Sequence, residues 1–234
     1  MPQLCAKLMV TPSLRLVRLI GEGAMGSVWA ADHLTLDTKV AIKFIATDHR
    51  EKNREAVLAR FEREAKAAAQ IKSPHVVHMY DHGVMDDGTP YIVMEMMEGE
   101  SLGTRIRRSK PLEVAEVAQV VAQVAKALSK AHELGIVHRD IKPDNIFLAP
   151  SDDELFVKVL DFGIAKSTTD PNEAVTTTGA LLGTPLYMSP ELVQSSREAT
   201  HFADLWALAV VAYEALTGKP PLAGETVGKL FFSI

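Results

Sequence analysis

The hydrophobic pattern changes period once along the chain, and that single change limits the folds open to it. Up to about Met97 the runs "SLRLVRLI", "SVWAAD", "KVAIKFI" and "YIVMEMM" are short, strand-like and separated by Gly-rich or Asp-Thr turns. One helix interrupts them, "REAVLARFEREAKAAAQI", with Leu58, Phe61, Ala65 and Ala68 along its apolar face and Ser73-Pro74 closing it. From about Glu98 the period becomes helical. Leu112, Val117, Val120, Val121, Val124 and Leu128 line one face through "PLEVAEVAQVVAQVAKALSKAHELG", and Gly135 suits the C-terminal cap. The pattern predicts an α+β chain with a sheet-rich region before a mainly helical one. Its expected divisions are an N-terminal extension over 1-13, a first lobe over 14-97 and a second over 98-234, with Gly99 in "MEGES" as a hinge at the seam.

Composition narrows the function classes. The 234 residues, 47% hydrophobic and 24% charged, describe an ordinary globular protein large enough for a substantial core. A net charge of -5 gives no basic footprint for nucleic acid or an anionic membrane surface, so an anionic ligand must be held by local groups. The only cysteine, Cys5, excludes an internal disulfide and fits a reducing compartment. "MPQLCAKLMVTPSL" is a poor signal peptide, and "LWALAVVAYEAL" is too short to span a bilayer and carries Glu214.

Three stretches carry chemistry. In "GEGAMGSV", Gly21, Gly23 and Gly26 let backbone N–H groups approach phosphate oxygens, although the glycines by themselves serve a plain hairpin equally well. A dinucleotide-binding loop opens a helix and a Walker loop ends in Gly-Lys-Ser/Thr, whereas this loop runs into the strand "SVWAAD". Lys43, in the apolar strand "VAIKF", either snorkels from a strand edge or needs a counter-charge. Glu64 projects from the apolar side of its helix, three residues after Phe61, and is the expected partner; Glu62 points away.

The third stretch, "HRDIKPDN", places two acids, two bases, a histidine and an amide in eight residues, with Pro143 excluding a helix interior. Downstream, Leu155, Val157 and Val159 alternate as a buried strand and deliver Asp161 just before Gly163. Asp161 alone is compatible with a simple turn former. Together with Asn145 it offers the hard oxygen ligands that Mg²⁺ prefers. Asp140 is then available to orient a hydroxyl and accept its proton, and Lys142 to neutralise a phosphoryl group.

In this order the motifs "GEGAMGSV", "VAIK", Glu64, "HRDIKPDN", "DFG" and "SPE" resemble the eukaryotic-type (Hanks-type) protein kinase family, from about Leu14 to the chain end. The resemblance implies a two-lobed kinase fold that uses ATP with Mg²⁺, or Mn²⁺ in its place. It makes Gly21, Gly23 and Gly26 the phosphate cover and Lys43, paired with Glu64, the nucleotide anchor. Asp140 becomes the catalytic base, Lys142 the γ-phosphate contact, and Asn145 and Asp161 the metal ligands. Ile20, Val28, Ala41 and Phe147 are expected around the nucleotide, with Met94 as gatekeeper and the Glu95 and Met97 backbone as hinge contacts. His138, Phe162 and Trp206 are expected in the core, and Asp204 on the catalytic-loop backbone.

Lys142 and "GTPLYMSPE", with Thr184 beside Asp140 and Lys142, look like the serine/threonine branch, and "DFGIAK", "YIVME" and "LTGKPP" like its bacterial members. Protein Ser and Thr hydroxyls are the implied substrates, and the cytoplasm the implied location, alone or as part of a longer protein. Arg139 before Asp140 suggests a pocket for a phosphate on Thr176, Thr177 or Thr178, hence activation by autophosphorylation. His75, His78 and His82 flank strand-like "VVHMY" and read as packing rather than a metal site. Related kinases continue beyond the position of Ile234, so a C-terminally truncated catalytic domain is expected. Two other readings stand beside the active kinase: a nucleotide-binding scaffold with impaired catalysis, and a Rossmann-type oxidoreductase, which the strand after the glycine loop disfavours.

Overall fold

The structure is a computed structural model that describes residues 4–23, 26–46, 54–150, 155–162, 185–194, 200–222, 224 and 227–234. By contacts the chain divides into two compact units. The first holds Met1–Gln70 and Val77–Met97; the second holds Ile71–Val76 and Glu98–Gly163 together with most of the remaining chain.

The first unit is an antiparallel sheet with one helix. Its strands are β1 (Met9–Thr11), β2 (Leu14–Gly23), β3 (Gly26–His33), β4 (Thr38–Ile45), β5 (Met79–Val84) and β6 (Pro90–Glu95), in the spatial order β1-β2-β3-β4-β6-β5. Alternation along β4 divides the sheet into two faces. Val40, Ile42 and Phe44 join Leu14, Leu16, Trp29, Ala31, Tyr91 and Val93 in a buried cluster, over which Leu4, Leu8, Val10 and Met85 pack. Residues 4–10 thus cover the sheet, and β1 extends its edge. The opposite face follows from register: Gly21 pairs with Val28, Val28 with Lys43, Lys43 with Ile92 and Ile92 with His82, while Ala30, Ala41 and Met94 form the adjacent row. The helix α1 (Arg54–Ala68) lies on this second face, its Phe61 ring 6.1 Å from that of His82. Phe61, Ala65 and Ala68 are buried and Leu58 is half-buried, as the helical period predicts.

The second unit is mainly helical. It contains β7 (Glu100–Ser101), α2 (Leu102–Arg108), α3 (Val114–Glu133), β8 (Ile146–Pro150), β9 (Leu155–Val159), α4 (Pro190–Gln194), α5 (His201–Thr217) and α6 (Val227–Ser233). Val117, Val120, Val124, Ala127, Leu128 and Ala131 bury one stripe of α3, which packs against α5 and β9. Each buried Val or Leu contributes roughly 1.5–3 kcal/mol by removal from water. Ser101 and Thr200 accept backbone N–H groups at the starts of α2 and α5. Gly135, at φ 71, follows α3 and donates its N–H to His132.

Trp206 is the exception to the expected core. It is 36% exposed and lies on a stripe of α5 with Phe202, Leu205, Tyr213 and Leu216, all exposed, whereas Ala203, Ala207, Val210 and Val211 face inward. The helix is apolar all round, so its sequence does not mark which face is buried.

Gly99, offered by the sequence as a hinge, has a tighter reason to be glycine. Its φ is 128, and a Cβ there would collide with the Leu148 carbonyl oxygen. Gly99→Ala is expected to destabilise the protein by about 2 kcal/mol or more. Gly135→Ala, which meets no atom within 4 Å, is expected to cost only about 1 kcal/mol. Urea unfolding midpoints of the two variants check this order, and equal midpoints would contradict it.

Candidate functional site

The second unit gathers most of the motif residues around one buried carboxylate. Asp204, on the first turn of α5, is 1% exposed. Its Oδ2 accepts the backbone N–H of His138 at 2.8 Å and its Oδ1 that of Arg139 at 2.8 Å. His132 Nε2, from the last turn of α3, donates to Oδ2 at 2.8 Å. Three donors therefore satisfy a charge that burial alone would not tolerate. Both N–H groups reach the carboxylate while Arg139 adopts φ 62, a left-handed conformation costing about 1–2 kcal/mol for an L-residue.

His138 carries the order inward. It is fully buried, and Nε2 donates to the Leu160 carbonyl at 2.7 Å while Nδ1 accepts the Asp140 N–H at 3.2 Å. Those two partners fix the neutral Nε2–H tautomer, and burial holds the imidazole below its ordinary pKa. Phe162 packs against the ring at 4.6 Å. His138 and Phe162 are thus the core residues the sequence predicts.

Pro143–Asn145 form a single 3₁₀ turn, with proline at its start where the missing N–H costs nothing. The turn brings the acid and the amide together. Asn145 Nδ2 donates to the Asp140 carbonyl at 2.8 Å and to its Oδ2 at 3.0 Å; Lys142 Nζ donates to the same Oδ2 at 2.8 Å. With both amide hydrogens engaged, Asn145 retains its Oδ1 for another partner. The Asn145 carbonyl accepts the Leu160 N–H at 2.9 Å, which ties the residue before Asp161 to the same loop. Asp161 has φ 58, the left-handed conformation that aspartate tolerates better than most residues.

The first unit presents its own set. Lys43 is 7% exposed on the same sheet face as α1. Glu64 is half-buried on that helix, whereas Glu62 is exposed and lies 3.6 Å from Lys66. Gly21 and Gly23 face open space, so no packing within the unit requires them to be glycine; at Gly26, φ 128 and the Phe44 carbonyl oxygen do. Val28, Ala41 and Met94 share the Lys43 face, Ile20 is exposed on β2, and Glu95 and Met97 are half-buried at the end of β6. Phe147, in the second unit, is half-buried on β8. Gly163, Thr176, Thr177, Thr178 and Thr184 lie outside the described residues.

A model of the protein kinase domain matches residues 14–233. The chain belongs to the protein kinase family. Among its curated relatives, the serine/threonine-protein kinase pkn3 of Myxococcus xanthus is 43% identical over 91% of this chain and 39% of its own length. PknH of Mycobacterium bovis is 39% identical, over 93% and 35%. This kinase chain therefore spans well under half the length of those relatives. Among solved structures, the Mycobacterium tuberculosis PknI kinase domain is 27% identical with a TM-score of 0.74, covering 96% of this chain and 81% of that one. Rad53 residues 1-466, in complex with AMP-PNP, is 25% identical with a TM-score of 0.76, covering 94% and 53%. The kinase fold and the bacterial Hanks-type branch expected from the motifs are those the comparisons give.

His75, read from the sequence as packing, is buried beside Phe156 and also bonds Val157. Two polar residues of the kinase escape sequence reasoning: His132 on Asp204, and Gln123 on β9, where it bonds Leu155 and Val157. Their only sequence signal is a polar side chain beside an apolar stripe.

Proton linkage offers a check on His138. Below about pH 6.5 the unfolded histidine takes up a proton that the folded, buried one resists, so its contribution to stability is present above that pH and lost as pH falls. The slope approaches about 1.4 kcal/mol per pH unit for one proton. Urea unfolding of wild type and His138→Gln between pH 7.5 and 5.5 should show a shallower decline in the variant. Parallel declines would remove His138 from the acid response.

Proposed function

We propose that the chain transfers the γ-phosphoryl group of ATP to Ser and Thr hydroxyls of proteins. The observation that carries this reading is the Asp140 carboxylate held by both Lys142 and Asn145, on a loop whose backbone is fixed to buried Asp204. A base aligned in this way orients a hydroxyl and accepts its proton as the oxygen bonds phosphorus and the bond from the γ-phosphorus to the bridging oxygen breaks, releasing ADP. Lys142, 2.8 Å from Asp140, carries the positive charge that offsets the transferring phosphoryl group.

The donor set fits a hard divalent cation, because Asn145 Oδ1 and the Asp161 carboxylate are oxygen ligands joined through the Leu160 backbone. Mg²⁺, or Mn²⁺ in its place, supplies positive charge against the phosphate oxygens when bound there. In the first unit Gly21, Gly23 and Gly26 cover phosphates, and Lys43, oriented by Glu64, anchors them. Ile20, Val28, Ala41, Met94 and the Glu95 and Met97 backbone take the adenine end.

Arg139, exposed at the start of the catalytic loop, is the proposed receiver of a phosphate on Thr176, Thr177 or Thr178, and Thr184 the hydroxyl beside Asp140. No helix among the described residues is long and apolar enough to cross a membrane; a cytoplasmic site of action is part of the proposal.

The test is Mg²⁺-dependent incorporation of labelled γ-phosphate into the protein itself and a generic Ser/Thr substrate, followed by phosphoamino-acid analysis. Asp140→Asn is expected to lower the rate by about 10²–10⁴-fold with nucleotide binding retained. Equal incorporation by the variant, or label on tyrosine alone, would overturn the reading.

A further inference from the structure

β9 is the edge of the three-stranded sheet ordered β7-β8-β9, and among the described residues its side facing away from β8 meets no further strand, only an isolated parallel bridge between Val76 and Val159. They are nevertheless satisfied in sequence. Gln123 Nε2 donates to the Leu155 carbonyl at 2.8 Å, and Gln123 Oε1 accepts the Val157 N–H at 2.8 Å. His75 Nδ1 donates to the Val157 carbonyl at 3.0 Å, and the His75 carbonyl accepts the Val159 N–H at 2.8 Å. A side-chain amide from α3 and the His75-Val76 segment after α1 together stand in for a missing strand.

The stretch so clamped leads directly to Asp161. Leu160 is then held by His138 and Asn145, so the segment is gripped along its outer edge and again at its inner end. We infer that Gln123 is a positioning residue for Asp161. This rests on the reading of Asp161 as a cation ligand. From Val157 to Asp161 the extended chain spans about 13 Å; a tilt of about 3° at Val157 carries Asp161 by about 0.7 Å, beyond the roughly 0.5 Å that productive geometry tolerates. The planar amide suits this task because it offers a donor and an acceptor with the same spacing as the backbone edge it meets. Neither aliphatic nor charged side chains of similar length supply both.

Gln123→Met keeps most of the side-chain volume and removes both bonds. Val120→Ala, one turn earlier on α3, serves as the control for lost stability, since Val120 is buried and makes no polar contact with β9. The measurements are the Mg²⁺ concentration for half-maximal phosphoryl transfer, kcat, the melting temperature, and hydrogen exchange of the peptide spanning 155–162. Gln123→Met is expected to raise the half-saturating Mg²⁺ by about tenfold, the low end of what loss of a group that orients a metal ligand does, and to speed exchange in that peptide. Val120→Ala should lower the melting temperature without moving the Mg²⁺ dependence.

An unchanged Mg²⁺ dependence in Gln123→Met, or an equal shift in both variants, would make the role purely structural and overturn the inference. Failure of both Gln123→Met and Gln123→Ala to fold would do the same. Should the wild type transfer no phosphate, the proposed function fails separately. The Mg²⁺ dependence of binding a fluorescent ATP analogue by the same proteins then decides for or against Gln123.

Discussion

Asp204 is the constraint on which the second unit's chemistry depends. A buried carboxylate is costly unless every strong acceptor site is used, and here the donors are two successive backbone N–H groups and one imidazole. Satisfying that charge fixes the His138-Arg139 backbone, including the left-handed turn at Arg139 that an L-residue does not adopt without compensation. Everything beyond is hung from those two peptide groups: the imidazole on Leu160 and Asp140, the amide of Asn145 on Asp140, and the Leu160 backbone on Asn145. The carboxylate orders the loop from beneath and touches neither Asp140 nor Asp161 through any of these bonds.

The motif residues and the elements carrying them were legible because each follows from local pattern. Period two gives β2, β3, β4 and β6, and period 3.6 gives α1 and α3. Pro143 forbids a helix where Asp140, Lys142 and Asn145 must meet. The inward side of α1 was equally readable, since Glu64, three residues on, shares the face of Phe61 while the adjacent Glu62 does not. What was not legible depends on pairings far apart in the chain. His132 is separated from Asp204 by 72 residues, His75 from Val157 by 82 and Gln123 from Val157 by 34. In each case a single polar side chain meets backbone or carboxylate from another element, and no periodicity encodes that. Trp206 was misplaced for a different reason: α5 is apolar on all sides, and its inward face is chosen by small residues that let α3 approach.

Charge distribution explains why the two units build their polar centres differently. In the first unit Lys43 is flanked on its strand by Ile42 and Phe44 and is 7% exposed on the face shared with α1. In the second, Lys142 and Asn145 converge on a carboxylate that remains 12% exposed. That residual exposure matters chemically. A base sealed from solvent reaches no external hydroxyl, and a base fully in water has no fixed direction; the 3₁₀ turn leaves Asp140, the base of the proposed function, between those limits.

The glycines separate two kinds of requirement that sequence alone merges. At Gly26 and Gly99 the left-handed or extended-positive φ and an approaching carbonyl oxygen forbid any side chain, so the fold by itself accounts for glycine. At Gly21 and Gly23 a Cβ would meet no atom of the described residues within 4 Å, and neither carries a positive φ. Both are also unfavourable to a strand, because glycine loses the most conformational freedom on ordering and packs no side chain. Neither glycine is required by a contact among the described residues, and the proposed phosphate cover is a role in which a missing side chain serves a partner from outside the element. The same comparison of packing demand with residue choice, applied to Gln123, gives the opposite result: a polar residue beside an apolar helix stripe is accounted for entirely within the unit, by the strand edge it completes.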